Sequence, residues 1–89
     1  MYPSFAMPLH IIVRLFASHR EAAGTGSVEV RLEQGATAAD AFARARDVHP
    51  ELPADTNNVA FAVNREFARP DTQLAEGDEV AVLPPVAGG

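Results

Sequence analysis

Glu79-Val80-Ala81-Val82-Leu83-Pro84-Pro85-Val86-Ala87-Gly88-Gly89 is a short apolar strand that runs into two prolines and two glycines. Val80 and Val82 take one face of an alternating segment, while Ala81 and Leu83 take the other. Proline has no N–H and a fixed φ, so Pro84 and Pro85 end the strand and favour a stiff, extended exit. Glycine has no Cβ, so Gly88 and Gly89 can enter a channel too narrow for any side chain. Such a tail offers one chemical group, the α-carboxylate of Gly89, held away from the body. A carboxylate is a poor acyl donor until it is activated, typically as a mixed anhydride with a nucleotide. The expectation is a carrier whose working group is its own C-terminus.

Working back from this strand, Leu9, Ile11, Val13 and Leu15 alternate with His10, Ile12, Arg14 and Phe16, which predicts a first strand with one fully apolar face. Ala17 to Gly24 reads as a short helical turn closed by glycine. Val28, Val30 and Leu32 point inward from a second strand, with Ser27, Glu29, Arg31 and Glu33 outward. Thr37-Ala38-Ala39-Asp40 has the form of a capping box. Ala38, Ala41, Phe42, Ala45 and Val48 then form one helical stripe, which Pro50 ends. Its alanines predict a helix lying close to a sheet, with Leu52 extending the cluster. Val59, Phe61 and Val63 mark a third strand. A tight turn at Asn64-Arg65-Glu66 leads to a short continuation at Phe67, and Glu76-Gly77-Asp78 turns into the last strand.

The order β-β-α-β-β predicts an α+β protein, a mixed sheet with one main helix across one face. The first and last strands are the most uniformly apolar, so they belong side by side and parallel in the middle, with the shorter strands outside. That arrangement is the β-grasp, or ubiquitin-like, fold. Residues 1–8 are expected to be a loose N-terminal extension, in which Met7 is an alternative start. Residues 9–83 then form the domain and residues 84–89 the extended tail.

The 89 residues are enough for one domain with a small core. No cysteine is present, so no disulfide, Cys-based zinc site or thiol nucleophile can form. A net charge of −5 with no basic stripe argues against a nucleic-acid partner. No apolar run is long enough to span a membrane, and residues 1–8 lack the plan of a secretory signal, so the expected location is the cytoplasm. All seven basic residues are arginine. With no lysine, no side-chain amine is available to accept an acyl group from another copy of the chain.

Several stretches, taken in order, resemble the small-subunit family of molybdopterin synthase, the MoaD-like branch of the MoaD/ThiS superfamily. They are Val13-Arg14-Leu15-Phe16-Ala17, Arg20-Glu21-Ala22-Ala23-Gly24, Val63-Asn64-Arg65-Glu66, Leu74-Ala75-Glu76-Gly77-Asp78-Glu79-Val80-Ala81 and the Pro84–Gly89 close. The resemblance implies a sulfur carrier with no bound cofactor and no autonomous catalysis. On that reading Gly89 is adenylated by a MoeB-like (E1-like) activating enzyme that consumes ATP, and a sulfur donor then converts it to a thiocarboxylate. The tail, Pro84 to Gly88, reaches into a MoaE-like large subunit, where the catalytic residues lie. There sulfur passes to a cyclic pterin monophosphate and builds the dithiolene of molybdopterin. The resemblance also suggests Arg20 as a partner contact near the tail. Related carriers serve thiamine, cysteine or tRNA thiolation, and a ubiquitin-like domain with an inert tail is the non-covalent alternative.

Parity adds a second candidate surface. Phe16 and Leu83 oppose the core faces of their strands, and Phe67 follows the Asn64 turn, so the three are expected to collect beside the tail exit as a partner surface. His10, His19 and His49 are isolated in sequence, read as surface or loop residues, and suggest no metal site. Glu76, Asp78 and Glu79 lack the ligand count of a calcium loop. Gly24-Thr25-Gly26 lacks the lysine and long helix of a phosphate loop.

Overall fold

A computed structural model of the chain describes residues 8–54 and 56–85. Strand β1 (Leu9–Leu15) is followed by helix α1 (Ala17–Ala23), β2 (Ser27–Leu32), helix α2 (Ala38–Val48), β3 (Ala60–Val63), β4 (Glu66–Ala68) and β5 (Glu79–Leu83). The five strands form one sheet in the order β2-β1-β5-β3-β4. β1 and β5 are parallel neighbours, with Val13 opposite Val80 and Leu15 opposite Val82. The remaining pairings are antiparallel. This is the β-grasp topology expected from the sequence.

Alternation decides which face is covered. Leu9, Ile11, Val13 and Leu15 from β1, Val28, Val30 and Leu32 from β2, and Val80 and Val82 from β5 all point inward and are buried. Helix α2 lies over that face, with Ala38, Ala41, Phe42 and Ala45 fully enclosed. Alanine at three of these four positions lets the helix approach closely, and Phe42 fills the remaining space against Phe61 with an edge-on ring contact at 6.4 Å. Leu52 and Leu74 complete the core.

The start of α2 is fixed by its own residues and by a distant loop. The Thr37 hydroxyl accepts the Asp40 N–H at 3.2 Å, and the Asp40 carboxylate accepts the Thr37 N–H at 3.0 Å. Two further N–H groups of the first turn, which an isolated helix leaves unpaired, donate to the Thr72 and Pro70 carbonyls. The link between β4 and β5 therefore serves as part of the helix cap.

Three expectations need correction. Val48 is 54% exposed; it is the last residue of α2, and the helix ends there before the stripe returns to the sheet. The outer strands are not both the shorter ones. Edge strand β2 has six residues against five in β5, and only β4, with three, is short. His19 is not a surface residue: it is 2% exposed. Residues 17–23 form a true helix, closed by Gly24 at φ 75°, and this helix turns the imidazole onto the ring of Phe42 at 5.2 Å. Ala22 and Ala23, three and four positions on, also pack against the core.

Candidate functional site: the exit of the central strand

β5 is paired on both flanks, with β1 over Glu79–Val82 and with β3 over Val80–Leu83. Its lower end is tied as firmly. Asn64, at φ 52° in the turn between β3 and β4, accepts the Glu79 N–H on its side-chain oxygen at 3.0 Å. Its amide group donates to Asp78 at 2.9 Å, and its backbone N–H donates to the Glu79 carbonyl at 2.8 Å. The other Asp78 oxygen accepts the Ala75 N–H at 2.7 Å. The upper end carries one further link. A backbone hydrogen bond ties the His19 ring to Val82, while Nδ1 has no partner. Burial holds the imidazole pKa below its ordinary value, and this hydrogen bond offsets the shift only in part. A strand so clamped launches Pro84 and Pro85 from a fixed point in a fixed direction.

Val86, Ala87, Gly88 and Gly89, including the proposed working carboxylate, lie outside the described residues, as does the N-terminal segment before Pro8. Pro84 is half-buried and Pro85 exposed.

Around the launch point, the outer face of the sheet carries two of the expected partner residues side by side. One residue beyond the Leu15–Val82 pair, Phe16 and Leu83 leave the ladder together; Phe16 is 36% exposed and Leu83 half-buried. Arg20 joins them, lining a concavity of about 380 Å³ with Ile12, Arg14, Phe16, Gly26 and Glu79. Its side chain packs over Gly26, where an added Cβ would meet Nε at 3.4 Å. Phe67 does not join the cluster. It pairs with Ala62, which pairs with Ala81, so it sits two strands, about 10 Å, from β5 and one row below Leu83. At 82% exposure it is the most open large apolar side chain described.

Two contributors escaped the sequence reading. Arg14 reaches Glu79 at 2.8 Å and also approaches the Phe16 ring, with the guanidinium carbon 6.0 Å from the centroid. A cation shared in this way orients the phenylalanine. Nothing in the sequence marks this pair, whose members are 65 positions apart and meet only through the parallel register. Ile12, 40% exposed on the same face, was legible as an apolar residue at an outward position. Among the described residues no three His, Asp or Glu side chains gather as a metal site, and no helix is long and apolar enough to cross a membrane.

A five-stranded β-grasp sheet whose central strand leads into Pro-Pro and Gly-Gly defines a ubiquitin-like protein. The chain belongs to the ThiS family, whose pattern matches residues 13–89 and so includes the tail. It is similar to the molybdopterin synthase sulfur carrier subunit of Chlamydomonas reinhardtii, with 39% identity over 91% of this chain and all of that one. The human subunit of the same name is 34% identical over 86% of this chain and 91% of its own length. Among solved structures, the crystal structure of small archaeal modifier protein 1 from Haloferax volcanii superposes with a TM-score of 0.81 at 32% identity. That alignment covers 90% of this chain and 99% of the archaeal one.

Proposed function

We propose that the protein is the sulfur carrier subunit of a molybdopterin synthase, working through the carboxylate of Gly89. The observation that carries this reading is the doubly clamped central strand delivering the Pro-Pro-Val-Ala-Gly-Gly sequence, within a family match that runs to residue 89. The steps follow from carboxylate chemistry. An activating enzyme joins Gly89 to AMP and releases pyrophosphate from ATP. A sulfur donor then displaces AMP, leaving a thiocarboxylate. In a large partner subunit the thiocarboxylate sulfur passes to the cyclic pterin monophosphate, and the Gly89 carboxylate is regenerated for another cycle.

The chain's own contribution is positioning. Two prolines restrict the tail before it binds, which lowers the entropy lost on entering a channel. Phe16, Leu83, Arg20 and the more distant Phe67 supply the docking surface, and the catalytic groups reside on the partner. Removing Gly89, or adding one residue after it, abolishes sulfur loading while the circular dichroism spectrum stays unchanged. Full sulfur transfer by a C-terminally tagged protein contradicts the proposal.

The similarity to a protein named as a modifier favours a second use of the same activated terminus. An amine of another protein can displace AMP from the Gly89 adenylate, forming an amide. Because this chain has no lysine, such products join it to other proteins and cannot grow as lysine-linked chains of itself. A ladder of self-conjugates through internal side chains contradicts that chemistry.

A further inference from the structure

The edge strand β2 is longer and more open than its neighbours require. Leu15 donates its N–H to the Gly26 carbonyl at 2.9 Å, and Val13–Val28, Ile11–Val30 and Leu9–Leu32 follow at the same parity. Hydrogen-bonded pairs alternate along an antiparallel ladder. Val28, Val30 and Leu32 therefore turn their backbone groups to β1, while Ser27, Glu29 and Arg31 turn theirs away from the sheet. Ser27 is already served, since the Thr25 hydroxyl bonds both its carbonyl and its N–H. Glu33 closes the other end, its carbonyl accepting the Ala36 N–H. What remains open is the N–H and C=O of Glu29 and of Arg31.

Their side chains are also unmatched. Both are exposed, and neither has an ion pair or hydrogen bond among the described residues. Glu29 faces Ile12 across the ladder, and Arg31 faces His10, whose acidic partner is Glu76 at 3.2 Å. An edge strand bearing a single sign of charge repels a second copy. This edge alternates in sign, which has the opposite effect.

We infer that β2 is a homodimerisation edge, pairing antiparallel with β2 of a second copy about a two-fold axis at Val30. In that register Glu29 lies opposite Arg31 of the second copy, and Arg31 opposite its Glu29. Both are pairs of the hydrogen-bonded kind, so the four open backbone groups of each chain are all satisfied. The carboxylate and guanidinium of each pair emerge on the same face, where opposite charges stabilise and like charges oppose pairing. Slipping the axis to residue 29 sets Glu29 against Glu29, and slipping it to residue 31 sets Arg31 against Arg31, so the register is selected by charge. On the inner face Val28 and Leu32 extend the core across the axis. A contact of one short strand per chain is smaller than a standard stable interface, so the dimer is weak, with a Kd in the micromolar to millimolar range. β5 lies two strands inward from this edge, which leaves both tails free.

Sedimentation of the full chain from micromolar to millimolar concentration tests this. The unmodified chain is expected to pass from monomer to dimer, with amide exchange at Glu29 and Arg31 slowing as it does. Glu29→Arg and Arg31→Glu each set like charges together and are expected to raise the Kd by roughly tenfold, with no change in thermal midpoint. The double variant carrying both changes restores opposite pairs and recovers dimerisation. The inference is overturned if the unmodified chain stays monomeric at millimolar concentration, or if either single variant associates as tightly as the unmodified chain. It also fails if the folded double variant does not recover.

Discussion

His19 is tied to the Val82 backbone while Nδ1 meets the core without a partner, so protonating the ring would place a charge beside Phe42. Its folded-state pKa is lowered by burial, whereas the unfolded chain takes up the proton near the ordinary value of about 6.5. Below that pH the unfolded state holds more protons, and stability falls as the pH drops from about 6.5 toward the folded pKa. His19→Gln, which keeps a donor but does not titrate, is expected to flatten the fall in thermal midpoint between about pH 7 and pH 5. Parallel profiles for the two proteins would show that carboxylates alone cause the acid sensitivity. The burial was foreshadowed in the sequence only by spacing, since His19, Ala22 and Ala23 share one side of a helical turn. An isolated histidine gives no other sign of burial. Phe16 and Val13 provide the opposite contrast. Val13 is wholly buried, so Val13→Ala should cost about 2–3 kcal/mol and lower the midpoint by roughly 10 °C or more. Phe16→Ala should change the midpoint little yet weaken binding to a large subunit or activating enzyme. Equal loss of stability in both variants would place Phe16 in the core.

At the scale of elements, strand alternation and the capping box carried most of the information. The faces of β1, β2 and β5 and the start of α2 follow from residue type and spacing alone, because burial of one face imposes period two and the cap requires a hydroxyl and a carboxylate three apart. Contacts between distant segments were not legible. The Arg14–Glu79 pair, the Asn64 clamp on β5 and the carbonyls of Pro70 and Thr72 on α2 depend on how the chain returns to itself. The turn between β3 and β4 shows a local choice that the sequence does not optimise. Asn64 and Arg65 both have positive φ, at 52° and 74°, as a two-residue hairpin of this twist requires. Asparagine tolerates that region, but arginine pays a steric cost there that glycine does not. Arg65→Gly is therefore expected to stabilise the domain by about 1 kcal/mol, a rise of roughly 4–8 °C in midpoint. A lower midpoint would mean that the Arg65 side chain makes a contact worth more than the strain.

For the whole molecule, the sheet order explains why a small domain can fix the exit of its central strand at Pro84. β5 sits between β1 and β3, with α2 behind it and the Asn64, Asp78 and His19 contacts at its two ends. Motion of the exit therefore requires opening the core rather than fraying an edge. The outer face beside that exit presents Phe16, Leu83 and Arg20, while the β2 edge stands two strands away. Docking of a partner on the tail and pairing of two copies thus use separate surfaces. The most direct test of the carrier reading is the intact mass of the protein after incubation with its activating enzyme, ATP and a sulfur donor. The expected result is replacement of one oxygen by sulfur, located by peptide mapping at Gly89 and absent without ATP. An unchanged mass under conditions in which a known carrier is fully loaded, or sulfur placed anywhere other than Gly89, would contradict it.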